Sequence, residues 1–301
     1  MKNFFDKEIW SKIFSHLKNK KLLTMFLLGF SAGLPLLLVF TTLSAWLRDE
    51  DIVRSTIGFF GWVTIFYGLK FLWAPLIDSI KLPVINKVLG KRRSWLLLTQ
   101  VSIGFFLYLL ATISPSGENL LTFAICALFV SFFSASQDIV VDAYRIEIAP
   151  LESQGILTAG YQFGYRVAIL VAGAGALYIA DSYSWEISYK VMSSLMLIGI
   201  VTTLMASEPK EHIFKVDKSD NLISAVFWAP IRDFFLRYQN AILILIFIGV
   251  YRLSDLSMAV MANPFYLDIG FTLSEIATVT KVFGIVMTLI VAFFGGIIVL
   301  R

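Results

Sequence analysis

Residues 134–145 read SASQDIVVDAYR and follow an apolar run that begins at residue 120. Read as a helix, this region has polar residues at steps of three and four: Ser131, Ser134, Asp138, Asp142 and Arg145. That spacing places them on one face. A polar stripe on an apolar helix is expected to face other helices or water and not lipid. The stripe therefore indicates the wall of a transport pathway, although the charges at its inner end, above all Arg145, would also anchor a helix near headgroups.

The composition is not that of a soluble domain. Of 301 residues, 58% are hydrophobic and 15% are charged, whereas soluble domains are about a quarter charged. The apolar residues form runs of the roughly 20 residues that a bilayer-crossing helix needs. They predict an all-α polytopic membrane protein with eight spans, at 22–46, 57–76, 94–113, 120–141, 158–180, 187–206, 240–262 and 276–300.

Lysine and arginine are distributed unequally between the predicted loops. With the N-terminus inside, 18 of the 25 basic residues fall on the inner side and 3 on the outer side, which is the positive-inside pattern. The N-terminus is therefore predicted to be cytoplasmic. The excess of basic residues is therefore explained by their position beside the lipid bilayer. No nucleic-acid partner is expected.

Four segments are predicted along the chain. Residues 1–21 form a basic amphipathic segment on the inner membrane surface, and residues 22–206 form a six-helix bundle. Residues 207–239 form a cytoplasmic linker with an amphipathic interfacial helix, and residues 240–301 supply two helices of a second bundle. This order resembles the plan of the major facilitator superfamily, with a complete N-terminal half and the first two helices of the C-terminal half.

Charged side chains inside spans are costly, so they mark candidate sites. Lys70 either reaches the inner interface with its long side chain or pairs with a carboxylate such as Asp138. In the fifth span Arg166 is two residues, about 200°, from Gly164 and points away from a seam of small residues. A cavity or a carboxylate partner is expected for Arg166. The seam consists of Gly160, Gly164, Ala168, Ala172 and Ala176.

The seventh span carries Arg252 and, three residues later, Asp255. This spacing permits an ion pair on one helix face, and a substrate or proton site is the alternative. The planar fork of arginine suits carboxylates and phosphates, so Arg166 and Arg252 together suggest an anionic substrate. Asp138, Asp142 and Asp255 are candidates for the proton-carrying carboxylate, and their spacing ranks none of them first.

The inner loop after the second span begins at Asp78 and ends in the basic cluster Gly90, Lys91, Arg92 and Arg93. A carboxylate and a basic cluster in one loop could hold helices together in one transport state. Anchoring by the positive-inside rule alone would explain the basic residues equally well.

No enzyme, cofactor or metal site is predicted. The one cysteine, Cys126, excludes an internal disulfide and a cysteine-based metal cluster. The two histidines, His16 and His212, lie outside the predicted spans. The sequence contains no evident phosphate-binding glycine loop or nucleophile–base pair.

The chain resembles the AmpG-type muropeptide permeases, a bacterial branch of the major facilitator superfamily. The matching segments, in order, are LGFSAGLPLLL at 28–38, YGLKFLWAPLID at 67–78, GKRRSWLL at 90–97, SASQDIVVDAYR at 134–145, GYQFGYRVAIL at 160–170 and VYRLSD at 250–255. The resemblance implies a proton-driven importer of anhydromuramyl peptides in the inner membrane, with the proton gradient as driving force. It also places Gln137 among the candidate substrate or proton residues. Acetyl-coenzyme A transporters share part of the pattern, so another anionic solute such as an acyl-coenzyme A is an alternative substrate.

Members of this family have at least twelve helices, whereas about eight are predicted here. Three explanations stay open: a truncated product that does not transport, a chain that associates with a separately encoded C-terminal half, and a smaller assembly that works alone or with a second copy. The sequence stops at Arg301, directly after the apolar residues FFGGIIVL. The sequence pattern favours truncation.

Overall fold

The computed structural model describes residues 20–115, 117–209, 232, 235–238, 240–284 and 287, without the side chains of residues 118, 248–249, 252–257 and 281. Helices dominate these residues, and the described part of the chain contains no strand. The predicted amphipathic segment at 1–21, most of the predicted linker at 207–239 and most of the eighth predicted span lie outside the described residues.

Six helical segments in the described residues are long and apolar enough to cross a membrane. They match the first six predicted spans and run over Lys20–Asp49, Arg54–Leu72, Lys91–Thr112, Leu120–Ile148, Leu151–Ser182 and Trp185–Met205. A seventh long helix follows at Ala241–Asp268, where the seventh span was predicted. The chain is therefore a multi-pass helical membrane protein.

Several of these spans are built from shorter pieces. The first consists of α1 (Lys20–Leu38) and α2 (Thr41–Asp49), and the second of α3 (Arg54–Phe60), a 3-10 turn at Gly61–Thr64, α4 (Ile65–Leu69) and a 3-10 turn at Lys70–Leu72. Two short helices, α5 (Ala74–Ser79) and α6 (Ile85–Leu89), occupy the loop between the second and third spans. The third span contains α7 (Lys91–Thr112), and the fourth contains α8 (Leu120–Ile148). The fifth contains α9 (Gln154–Leu170), a π segment at Val171–Gly175 and α10 (Ala176–Ser182), and the sixth is α11 (Trp185–Met205). The seventh helix is α12 (Ala241–Asp268), and α13 (Leu273–Ile276) continues into a π segment at Ala277–Phe283. Two 3-10 turns, at Gly117–Asn119 and Leu151–Ser153, precede α8 and α9.

The second span was predicted at 57–76 and lies at Arg54–Leu72. The span ends at Leu72, and its last turn tightens to a 3-10 helix. Pro75 lies in the first turn of the following α5. Because proline has no backbone N–H to donate, it favours the start of a new helix over continuation of the old one. Lys70 therefore lies in a tight turn at the predicted inner end of the span.

Breaks in the spans leave backbone carbonyls that side chains satisfy. The first span breaks after Leu38, and the hydroxyl of Tyr189 donates to the Leu38 carbonyl oxygen at 2.7 Å. The hydroxyl of Thr42 donates to the carbonyl oxygen of Ala172, in the π segment of the fifth span, at 2.9 Å. An unsatisfied carbonyl in hydrocarbon costs several kcal/mol, so these hydroxyls make the irregular backbone tolerable at this depth.

The predicted seam of small residues on the fifth span is confirmed, and its partner is α1. A Cβ on Gly164 would collide with the carbonyl oxygen of Phe26, and one on Gly33 would lie 2.7 Å from the carbonyl oxygen of Tyr165. Glycines on both helices thus let the two backbones touch. Ala168, further along the seam, is fully buried.

An aromatic cluster fills the core at the outer end of the bundle. The ring of Trp46 lies 5.1 Å from that of Phe123, 5.8 Å from that of Trp185 and 4.6 Å from that of Tyr189. These four residues come from the first, fourth and sixth spans. Edge-to-face and stacked pairs at such distances add to the gain from burial, so this cluster joins three spans around the break in the first.

The contact between α1 and α9 predicts that alanine substitution destabilises the protein at one glycine of α9 and not at another. Gly164→Ala should destabilise the protein by about 2 kcal/mol, because the added methyl group meets rigid backbone. Gly155→Ala is the matched control, since nothing lies within 4 Å of its Cβ position. Thermal unfolding in detergent should show a midpoint lowered by roughly 5 °C for Gly164→Ala alone. Equal midpoints for the two variants would contradict this packing.

Candidate functional site

The polar stripe of the fourth span turns toward the second and fifth spans. Ser131 and Ser134 are fully buried, and the Ser131 hydroxyl donates to the Val63 carbonyl oxygen of the second span at 2.6 Å. One turn further in, the Asp138 side chain is 13% exposed. The stripe was expected to avoid lipid, and its buried part does so by facing the second span.

Asp138 pairs with Lys70. The ammonium of Lys70 lies 3.4 Å from Oδ2 of Asp138, so the structure brings together the two residues that the sequence offered as partners. The 3-10 turn at the end of the second span places Lys70 there. An ion pair this far inside an apolar bundle is expensive unless the attraction and further hydrogen bonds offset desolvation.

The other oxygen of Asp138 has no hydrogen-bond partner among the described residues. The hydroxyls of Ser134 and Tyr67 are likewise buried, and they interact with each other without a well-formed hydrogen bond. Tyr67, Tyr161 and Tyr165 all lie within electrostatic reach of Asp138. Buried polar atoms are normally hydrogen-bonded, so these incompletely satisfied groups form a polar cluster suited to a proton, water or the polar groups of a solute. We call Lys70, Asp138, Ser134, Tyr67, Tyr161 and Tyr165 the Asp138 chamber.

Arg145 ties the inner end of the fourth span to the start of the fifth. Its guanidinium lies 3.6 Å from Asp142 and donates to Thr158 at 2.8 Å and to Gln154 at 3.3 Å. The Gln154 amide donates back to the carbonyl oxygen of Arg145 at 3.1 Å. The side chain of Asp142 is 53% exposed. Arg145 therefore joins two helices, while Asp142 stays open to solvent or headgroups.

Gln137 does not lie in the Asp138 chamber. It is fully buried, and its amide donates to the Ser31 hydroxyl on α1 at 3.0 Å. One helical position corresponds to about 100° of rotation, so Gln137 faces the first span while Asp138 faces the second. The structure thus places Gln137 at the contact between the fourth and first spans, where its amide oxygen is buried without a hydrogen-bond partner among the described residues. Gln100, which the sequence analysis did not single out, lies in the same buried layer and accepts a hydrogen bond from Thr203 at 2.8 Å.

Arg166 is exposed on the fifth span, whereas Gly164 is buried against the first. The prediction that Arg166 points away from the seam is therefore confirmed. No ion pair joins Arg166 to another described side chain, and the structure does not bring it to Asp138. Arg252 and Asp255 lie in α12, and their side chains are outside the described residues.

The inner loop and the ends of three spans form a charge cluster centred on Arg92. The Arg92 guanidinium contacts Asp78 at 2.5 Å and holds Glu147 with two hydrogen bonds, of 2.5 Å and 2.9 Å. Glu208 accepts from the backbone N–H groups of Arg92 and Arg93 at 2.8 Å and 3.1 Å. The structure brings Asp78 and the basic residues together as the sequence analysis proposed. We call this the inner cluster.

Three further contacts complete the inner cluster. Arg93 donates to the carbonyl oxygens of Thr203 and Leu204 at the end of the sixth span, at 2.8 Å and 2.6 Å, and Lys91 donates to the Asp78 carbonyl oxygen. Gly90 has φ of 84°, a conformation that favours glycine. Sequence reasoning missed Glu147 and Glu208, although Glu147 follows Arg145 by two positions at the same helix end.

Comparison with known proteins assigns the family. A model of the Major Facilitator Superfamily matches residues 23–301. A Rickettsia conorii transporter named AmpG 1 is 37% identical over 94% of this chain and 70% of its own length. The chain belongs to the AmpG-type family of this superfamily. The anhydromuropeptide permease of Escherichia coli K12 is 40% identical over 92% of this chain and 55% of its own length. This AmpG-type protein is therefore a multi-pass membrane transporter and not an enzyme.

The inner cluster predicts that Arg92 stabilises the bundle. Arg92→Gln should lower the free energy of unfolding by about 2 kcal/mol, because two carboxylates lose their charged donor. Arg92→Lys should recover only part, since an ammonium cannot hold two carboxylates in the same fork. The control is Lys87→Gln, which removes an exposed positive charge from the same loop. Thermal unfolding in detergent measures the difference, and a Lys87 variant as unstable as the Arg92 variant would contradict the prediction.

Proposed function

We propose that this AmpG-type protein is a proton-coupled secondary transporter that imports anhydromuramyl peptides across the bacterial inner membrane, with its N-terminus in the cytoplasm. The observation that carries the proposal is the partly buried Lys70–Asp138 pair, with one carboxylate oxygen free of any described donor. The similarity to the Escherichia coli anhydromuropeptide permease supports the choice of substrate. The excess of basic residues in the predicted inner loops supports the orientation.

Protonation of Asp138 would couple the proton to the substrate through Lys70. A neutral Asp138 attracts the Lys70 ammonium less, so the ammonium becomes available to another anion. A carboxylate of a muropeptide could then take the place of Asp138. When the proton leaves, Asp138 recovers Lys70 and the substrate loses its counter-ion. Charged groups inside membrane spans commonly serve proton relays in this way.

The remaining groups of the Asp138 chamber suit a solute with many polar groups. Tyr67 and Ser134 offer buried hydroxyls that form no well-formed hydrogen bond with the described residues, and such groups can both donate and accept. Tyr161 and Tyr165, held 6.0 Å apart between ring centres, add two more hydroxyls on the fifth span. We assign these side chains to the hydroxyl and amide groups of the glycopeptide, and Arg166 to a carboxylate of the solute outside the chamber.

Transport is tested with cells that lack their own permease and express this chain. Labelled anhydromuramyl peptide should accumulate, and a proton-gradient uncoupler should abolish the accumulation. Membrane insertion is checked in the same cells, and labelled acyl-coenzyme A serves as the competing anionic solute. No uptake by an inserted protein would contradict the proposal. Uptake of acyl-coenzyme A without uptake of muropeptide would show that the substrate is the acyl-coenzyme A and not the muropeptide.

Asp138→Asn should abolish uncoupler-sensitive uptake while the protein still inserts. The amide keeps the shape of the side chain but cannot carry the proton, so accumulation should fall at least tenfold, an effect of about 1.4 kcal/mol or more. Glu152→Gln is the control, because Glu152 is an exposed carboxylate on the turn before the fifth span. Retention of uphill uptake by Asp138→Asn would remove Asp138 from the coupling mechanism.

Arg166→Gln should raise the KM for muropeptide and leave proton coupling intact. The change removes a cation that we assign to substrate binding, and one charged hydrogen bond contributes about 1.5–3 kcal/mol, or about tenfold or more in KM. Arg237→Gln, outside the Asp138 chamber, tests whether any lost arginine has this effect. The assignment fails if the two variants give equal KM values.

A further inference from the structure

The strongest unassigned feature is a charge cluster where α12 meets the first two spans. Arg48 at the end of α2 and Arg54 at the start of α3 both bind Asp268, the last residue of α12. The Nε atom of Arg48 lies 2.5 Å from Oδ1 of Asp268, and the Nε atom of Arg54 lies 2.7 Å from Oδ2. Each carboxylate oxygen therefore has its own arginine, and the Asp268 side chain is only 9% exposed. We call these three residues the outer cluster.

Other contacts join the same two parts of the chain at this end. The Asn263 amide, 1% exposed, donates to the Thr41 carbonyl oxygen at 2.6 Å. Val260 packs against Gly61, where an added Cβ would lie 3.0 Å from it. Beyond α12, Ser274 hydrogen-bonds Asp181. All of these contacts connect residues before the predicted linker to residues after it.

The other end of α12 is different. Toward its start, large apolar side chains are exposed by 47% to 69%: Ile242, Leu243, Leu245, Ile246, Phe247, Val250 and Tyr251. The elements of the first two spans that pack on α12 are α2 and α3, both at the outer end. Within the described residues, the main contacts between α12 and the first two spans therefore lie at the predicted outer end.

We infer that the outer cluster is a latch that keeps the outer entrance closed, and that Asp268 must leave both arginines before a solute can enter from outside. The inference rests on the proposed function, because a gate presupposes transport, and on the predicted orientation. The latch is suited to opening. An open cavity of about 720 Å³ adjoins it, and Arg54 is already 67% exposed, so water can replace the broken contacts at small cost.

A cysteine reporter tests the latch without any transport measurement. Val260→Cys places a thiol at the buried interface between α12 and the second span, where Val260 is 9% exposed. A membrane-impermeant maleimide added to spheroplasts labels this thiol only when the outer end opens. Asp268→Asn in the reporter protein should raise the labelling rate about tenfold, equivalent to about 1.4 kcal/mol. Arg48→Gln should raise it by a smaller factor, since Arg54 still holds the carboxylate.

Two controls keep the test specific. Glu186→Gln breaks an exposed ion pair with Lys190 that lies within the sixth span, so the reporter should keep its parental labelling rate. The parent protein has a single cysteine, Cys126, which is 5% exposed. Cys126 should stay unlabelled with Asp268→Asn if the bundle remains folded. If Asp268→Asn exposes Cys126, that variant is unfolded and the latch is tested with Arg48→Gln. Labelling of the Val260→Cys thiol and protection of Cys126 are then measured in the Arg48→Gln protein.

Equal reporter labelling in the parent, Asp268→Asn and Arg48→Gln proteins would overturn the latch. An equal increase with Glu186→Gln would also overturn it, because any lost outer charge would then suffice. Neither result depends on uptake of a solute or on a proton gradient. Failure of the proposed transport function would leave the labelling pattern unchanged, so the two failures are distinguishable.

Discussion

The direct contact of backbones between α1 and α9 constrains the rest of the bundle. Gly33 and Gly164 have no side chain to separate the helices, and any Cβ there would meet the opposite main chain. Two helices in such contact cannot slide or rotate without a clash. The neighbours of these glycines, Tyr161 and Tyr165, are therefore held in a fixed register beside Asp138. One wall of the Asp138 chamber owes its rigidity to residues that contribute no chemistry.

The opposite wall is irregular. The second span passes from α-helical to 3-10 geometry twice before it ends at Leu72, and Lys70 lies in its last turn. The hydrogen bond from Ser131 to the Val63 carbonyl oxygen holds the middle of this span, while the ion pair with Asp138 holds its inner end. A rigid wall carrying tyrosines thus faces a less regular wall carrying the cation. Motion that alters the Lys70–Asp138 distance is expected on the side of the second span, where the α-helical hydrogen-bond pattern is interrupted by 3-10 turns.

The sequence was sufficient for features that depend on local period. The length of apolar runs located the first six spans, and four-residue spacing identified both the Asp138 stripe and the Gly164 seam. It was insufficient where a residue's role depends on a distant partner. Asp268 contacts Arg48, which is 220 positions earlier in the chain. No sequence pattern within α12 predicts this contact. Gln137 and Asp138 stand side by side in one motif, yet the helix turns them by about 100° toward different spans, and the motif alone does not show this difference.

The inner cluster and the outer cluster have opposite composition and different reach. Arg92 is a cation between two carboxylates, Asp78 and Glu147, and both belong to the chain before the predicted linker. Asp268 is a carboxylate between two arginines, and its partners lie across the predicted linker from it. Relative motion of the two parts must therefore break the Asp268 contacts but can leave both ion pairs of Arg92 intact. The inner cluster is then expected to keep one bundle rigid, and of the two clusters the outer one is expected to respond to motion between the parts.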